Sequence, residues 1–68
     1  MSATTKMNER SYRIRNTGET MVIEGEHGEQ IAEYKFSSPV SALSEIRSMY
    51  REIDNHLANG GTLGNYQW

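Results

Sequence analysis

The sequence predicts an α+β fold: a three-stranded antiparallel β-meander, at about residues 11–16, 20–24 and 29–36, covered by one long C-terminal helix at about residues 39–58. Three observations predict it. Val40, Leu43, Ile46, Met49, Tyr50, Ile53 and Leu57 recur at spacings of three and four, which sets them on one side of a helix, and Ala42 widens that stripe. Ahead of them lie three short runs whose apolar residues alternate with polar ones, the period of a half-buried strand. The connections between the runs are short and carry glycine, so consecutive strands are antiparallel neighbours.

Residues 1–10 (MSATTKMNER) are polar without an apolar core, so they are expected to form a flexible N-terminal arm and not a secretory signal. In residues 11–16, Tyr12 and Ile14 point one way, Arg13 and Arg15 the other. A two-residue loop at Thr17-Gly18 would set Ile14 opposite Met21, Tyr12 opposite Ile23, Arg13 opposite Val22 and Arg15 opposite Thr20. In the second hairpin, a loop through Glu26-His27 sets Met21 opposite Ala32, and one through His27-Gly28 sets it opposite Tyr34. These registers differ by two residues, so either keeps Tyr12, Ile14, Met21, Ile23, Ala32, Tyr34 and Phe36 on one apolar face.

Ser38 is placed to cap the helix and Pro39 to occupy its first position, while Asn59-Gly60-Gly61 supplies the left-handed turn that ends it. About twenty residues make a rod of about 30 Å, longer than three short strands cover. The second half, from Tyr50 to Leu57, is therefore expected to extend past the sheet, under a second copy of the chain or under the tail. That tail, residues 62–68 (TLGNYQW), carries Tyr66 and Trp68, which either fold back on the core or insert into a partner as aromatic anchors. The chain thus divides into an arm (1–10), one β-β-β-α domain (11–61) and a C-terminal tail (62–68).

At 68 residues a single core is lean, about 3–5 kcal/mol, and the chain has no cysteine for a disulfide. His27 and His56 are too few for a zinc cluster, so neither metal nor cofactor is expected. No apolar run approaches the 18 or so residues of a membrane span, and a cytoplasmic protein is expected. The net charge of −2 is distributed unevenly. Lys6, Arg10, Arg13 and Arg15 stand against Glu9 near the start, and Glu19, Glu24, Glu26, Glu29 and Glu33 follow without a basic residue among them.

No residue set has the spacing of a catalytic site. His27 lies in a glycine-flanked turn, and His56 lies in the last helical turn, where a cation suits the dipole. The serines lack a nucleophile elbow, and Gly60, Gly61 and Gly64 follow a helix, whereas phosphate loops precede one. A working carboxylate pair needs a pocket that raises one pKa, which so small a sheet has little room to build. The expectation is a protein that binds and does not turn over substrate.

Arg10, Arg13 and Arg15 are the candidates for nucleic acid, since alternate arginines on a strand grip phosphates or read a groove. Here Tyr12-Arg13-Ile14-Arg15 on the first strand, with Tyr34-Lys35-Phe36-Ser37 running into the Ala42-bearing helix, resembles the three-stranded sheet-plus-helix DNA-binding domains of tyrosine-type phage integrases and plant ethylene-response factors. The resemblance covers about residues 11–58 and implies DNA contact through the outer sheet face. The sequence departs from it at Glu24, Glu29 and Glu33, which would repel phosphate or pair with the arginines. Val22 and Ile31 are expected on that outer face as a small apolar patch, ringed by both charge signs as in a protein contact. Tyr50, Ile53 and Leu57 also fit a short coiled-coil seam for a homodimer.

The function expected first is a non-enzymatic protein-binding module: a small phage or mobile-element accessory protein that inhibits a host nucleoprotein complex, anti-CRISPR or anti-restriction in type. Its partner contacts would be Glu24, Glu26, Glu29 and Glu33 on an acidic hairpin, with Val22, Ile31, Tyr66 and Trp68. DNA binding through the arginines and a self-associating structural module are the alternatives.

Overall fold

Strands β1 (Tyr12–Asn16), β2 (Thr20–Gly25) and β3 (Gln30–Lys35) form one antiparallel sheet in the order β1-β2-β3 in the computed structural model, which describes residues 10–68. A 3-10 turn at Pro39–Ser41, helix α1 (Ala42–Ala58) and a second 3-10 turn at Leu63–Asn65 follow. The expected arm, apart from Arg10, lies outside the described residues.

The first hairpin takes a longer loop than the sequence suggests. Asn16 pairs with Met21, not Glu19, because Thr17 N–H reaches Thr20 O at 3.0 Å and the Gly18 N–H donates to Asn16 Oδ1 at 2.8 Å. Gly18 takes φ +104°, the left-handed region that a side chain disfavours. Tyr12 therefore faces Gly25, Arg13 faces Glu24, Ile14 faces Ile23 and Arg15 faces Val22. The register moves by two, so every residue keeps its face.

The second hairpin closes through three residues. Gly28 N–H donates to Gly25 O at 3.0 Å, Gly25 N–H donates to Glu29 O at 2.8 Å, and Gly28 takes φ +84°. A three-residue loop shifts the ladder by one, and a bulge shifts it back: Glu24 pairs with Gln30 but Ile23 with Ala32, leaving Ile31 as the extra residue. Met21 thus meets Tyr34, one of the two expected partners. The bulge also overturns the expected place of Ile31, which turns from the outer face and packs against the core.

Tyr12, Met21, Ile23, Phe36 and Ile53 are the buried centre of that core. Helix α1 lies against the β1 side. The Tyr50 hydroxyl accepts the Ile14 N–H at 3.0 Å, occupying a donor on the β1 edge, and the Tyr50 and Tyr12 rings stand 5.7 Å apart. Tyr12 donates its hydroxyl to Asp54 Oδ1 at 2.5 Å, and Arg10 Nη2 holds Asp54 Oδ2 at 3.0 Å with its guanidinium 4.6 Å from the Tyr50 ring centre. Burial, then the Asp54 hydrogen bond, pushes the Tyr12 hydroxyl pKa up. Burial opposes ionisation of Asp54, but bonds from Arg10 and Tyr12 outweigh it and hold the carboxyl below its ordinary value.

The start of α1 departs from expectation and its end meets it. Pro39–Ser41 is a 3-10 turn, so Val40 loses its phase with the stripe: it is 94 % exposed, and Leu43 is 66 % exposed. The start of the rod is what projects. Ser38 makes no side-chain cap; instead Glu45 reaches back to accept the Ser37 N–H at 3.0 Å and lies 2.5 Å from Ser41 Oγ. Those bonds, the Ser41 hydroxyl first, hold Glu45 below the usual carboxylate range. At the other end, Gly60 takes φ +92°, its N–H donates to Leu57 O at 3.1 Å, and the Gly61 N–H donates to His56 O at 2.9 Å, the paired bonds of a Schellman stop.

The tail covers the second half of the rod and the β3 side of the sheet. Thr62 and Asn65 cap each other's N–H groups at 3.3 and 2.9 Å. Asn65 Oδ1 accepts from Thr62, so His56 Nε2, 2.7 Å from the same oxygen, carries a proton. The Gly61 Cα lies over that imidazole, where a Cβ would stand 2.3 Å from Nε2. Tyr66 meets the His56 ring edge-on at 5.1 Å and donates to Glu52 Oε1 at 3.0 Å, while Tyr34 donates its hydroxyl to the Trp68 carbonyl oxygen.

Candidate functional site

Where the tail meets β3, the residues leave an open cleft of about 370 Å³ lined by Glu29, Ile31, Leu63, Gly64 and Trp68. Each wall has a local cause. The bulge turns Ile31 inward from the start of β3. The 3-10 turn after the Schellman stop carries Leu63 and Gly64 across the sheet. Trp68 is fixed by its indole N–H, which donates to Leu63 O at 2.9 Å, and by the Tyr66 ring at 4.5 Å. Glu29 stands at the rim; its Oε1 accepts the His27 N–H at 3.0 Å and its carboxylate lies over Gly25, where a Cβ would come within 2.2 Å of Oε2. An apolar and aromatic wall beside an ordered carboxylate can hold an apolar stem that ends in a cation.

Of the expected partner contacts, Glu29, Ile31 and Trp68 meet in this cleft although Ile31 and Trp68 are 37 positions apart in the chain. Glu26 lies exposed in the adjoining turn. Tyr66 backs Trp68 from the far side. Glu24 and Glu33 are elsewhere, on the outer face. Glu24 joins Arg13 Nε at 3.2 Å and Arg15 Nε at 3.0 Å, and the Arg15 bond first, with Arg13 adding to it, lowers its pKa. Glu33 accepts the Thr20 hydroxyl at 2.8 Å. Val22 is on that face as expected but is not an exposed patch: only 3 % of it reaches solvent, since Arg15 and Glu33 flank it in register on the central strand.

The residues considered for nucleic acid are engaged as well. Arg10 belongs to the Asp54 pair, and Arg13 and Arg15 share Glu24, whose charge stands beside any phosphate brought to them. For self-association, Ile53 has no exposed surface and Tyr50 and Leu57 pack against the core. The expected seam is an inward face, because the sheet and the tail together close over it. Among the described residues no cluster of three or more His, Cys, Asp or Glu side chains is placed to hold a metal, and no helix is long and apolar enough to cross a membrane. A smaller hollow of about 290 Å³ between Gly18 and Pro39 contains none of the expected contacts.

Sequence reasoning missed Leu63 and Gly64 as site residues. Leu63 is legible as an apolar residue of the tail, but Gly64 enters the sequence reading only as one of the glycines that follow the helix. No protein-family model, curated protein or solved structure matches the chain.

Proposed function

We propose that the chain is a non-enzymatic protein-binding module whose contact surface is the cleft between β3 and the tail. The observation that supports this is the meeting of Glu29, Ile31 and Trp68, from a turn, a bulge and the tail, in one open recess. An acidic rim beside an aromatic wall suits a basic protein surface, and the nucleic-acid channel of a host nucleoprotein complex is such a surface. In that role the protein is an inhibitor of phage or mobile-element type, anti-CRISPR or anti-restriction, acting in the cytoplasm. The carboxylates of Glu26 and Glu29 take the place that phosphates hold in the channel.

The test is capture of a partner on the immobilised protein, its identification, and repetition with the purified partner. Gly64→Gln is the informative variant: Gly64 lines the cleft, and the nearest atom to a Cβ there is Thr62 Oγ1 at 3.8 Å, so a larger side chain is added at the cleft wall without displacing the core. Loss of about tenfold or more in affinity is expected, and Val40→Asp, on the exposed start of the helix, leaves binding unchanged. A purified partner that binds Gly64→Gln as it binds the parent contradicts the proposal.

A further inference from the structure

We infer that the cleft and the neighbouring edge of β3 receive a basic, extended peptide segment, which adds to the sheet as a fourth strand and lays a lysine or arginine side chain against Trp68 and Glu29. The inference rests on the cleft being the contact surface and specifies what enters it. Three observations converge.

The first is that the two edges of the sheet differ. On β1 the Tyr50 hydroxyl takes the outward Ile14 N–H. On β3 the Phe36 N–H donates inward to Glu19 O at 3.0 Å, so by the alternation of an antiparallel ladder the backbone groups of Glu33 and Lys35 point away from β2. Among the described residues β3 pairs only with β2. Such an edge is where extended peptides add to sheets.

The second is that the cleft opens at the start of that same strand, where Ile31 and Glu29 lie. A segment pairing with β3 brings one side chain to it. The third is charge. Glu26 and Glu29 are exposed at this end, and no lysine or arginine occurs from residue 16 to residue 34. The indole face supplies cation–π attraction and the Glu29 carboxylate a charge-assisted hydrogen bond to the same cation.

Trp68 is the sole tryptophan, so its fluorescence reports the cleft directly. The probe is a blocked heptapeptide alternating valine and arginine, titrated into the full chain. A saturable change in emission is expected, with amide-exchange protection gained at Glu33 and Lys35. Glu29→Gln, which keeps an acceptor for the His27 N–H, weakens the peptide by about tenfold or more. Glu19→Gln, an equal change of charge at the opposite hairpin turn, leaves it unchanged. A peptide N-methylated on alternate amides, or one with glutamate in place of arginine, binds at least tenfold more weakly, by about the same reasoning. The inference is overturned if no saturable signal appears, if the acidic or N-methylated peptide binds equally well, or if Glu19→Gln weakens binding as much as Glu29→Gln. A purified partner that still requires an open cleft at Gly64 while the basic peptide fails would overturn the peptide and leave the contact surface standing. A partner indifferent to Gly64→Gln removes both.

Discussion

Ile53 shows how a single position carries two meanings until its neighbours are known. As one member of a three-four stripe it suits a coiled-coil seam as well as a core, and the structure buries it completely with Tyr12, Ile23 and Phe36. Removing one methylene there costs about 1 kcal/mol in a close-packed core. Ile53→Val therefore lowers the urea midpoint while leaving the sedimentation coefficient unchanged; a change in oligomeric state with unchanged stability would place the residue at an interface. Asp54 gives a second check, in pH. Its folded-state pKa is depressed below 3.8, so its contribution is present at neutral pH and is lost as the pH falls through the folded value. Stability is expected to drop below about pH 4, and Asp54→Asn to shrink that drop, as urea midpoints at pH 7 and pH 3 would show. Arg10 and Asp54 are both partly exposed, so solvent screening keeps the effect modest.

Among the elements, those with strong periodicity were legible and their joins were not. The alternation in Tyr12-Arg13-Ile14-Arg15 and the stripe from Ile46 to Leu57 name a strand and a helix because burial imposes those periods. The hairpin registers depend on hydrogen bonds local to Asn16, Thr17 and Gly28, and several loop lengths satisfy the same alternation. The adjacent apolar pair Ile31-Ala32 interrupts the alternation, but an outward Ile31 accounts for it as readily as a bulge does, so the sequence does not choose between them. The tail is the element with the largest consequence. Its apolar content announced a contact, and the structure resolves the contact as the other half of the layer that covers the sheet. Trp68→Ala removes the ring that spans Leu63 and Tyr66 and is expected to cost more than about 1 kcal/mol. Amide exchange over residues 62–68 should accelerate with it; unchanged exchange and stability would mean the tail docks without Trp68.

At the scale of the molecule, a sheet of three strands is too wide to be sealed by one helix. Helix α1 covers the β1 side, and the tail covers the β3 side through Tyr34, Ile31 and Trp68. The outer face is closed differently, by ion pairs over Val22. What remains open is the cleft where the tail and β3 do not quite meet, and the β3 edge beside it. The candidate site was legible as three separate residues, Glu29, Ile31 and Trp68, but not as one place, since a fold-back and an insertion into a partner need the same apolar tail. The most direct test is a carbon-edited NOE spectrum of the free protein in solution. Cross-peaks from the Trp68 indole to Ile31 methyls and Leu63, with dispersed shifts across residues 62–68, are predicted; random-coil shifts and no such cross-peaks would contradict the covering layer and the cleft with it.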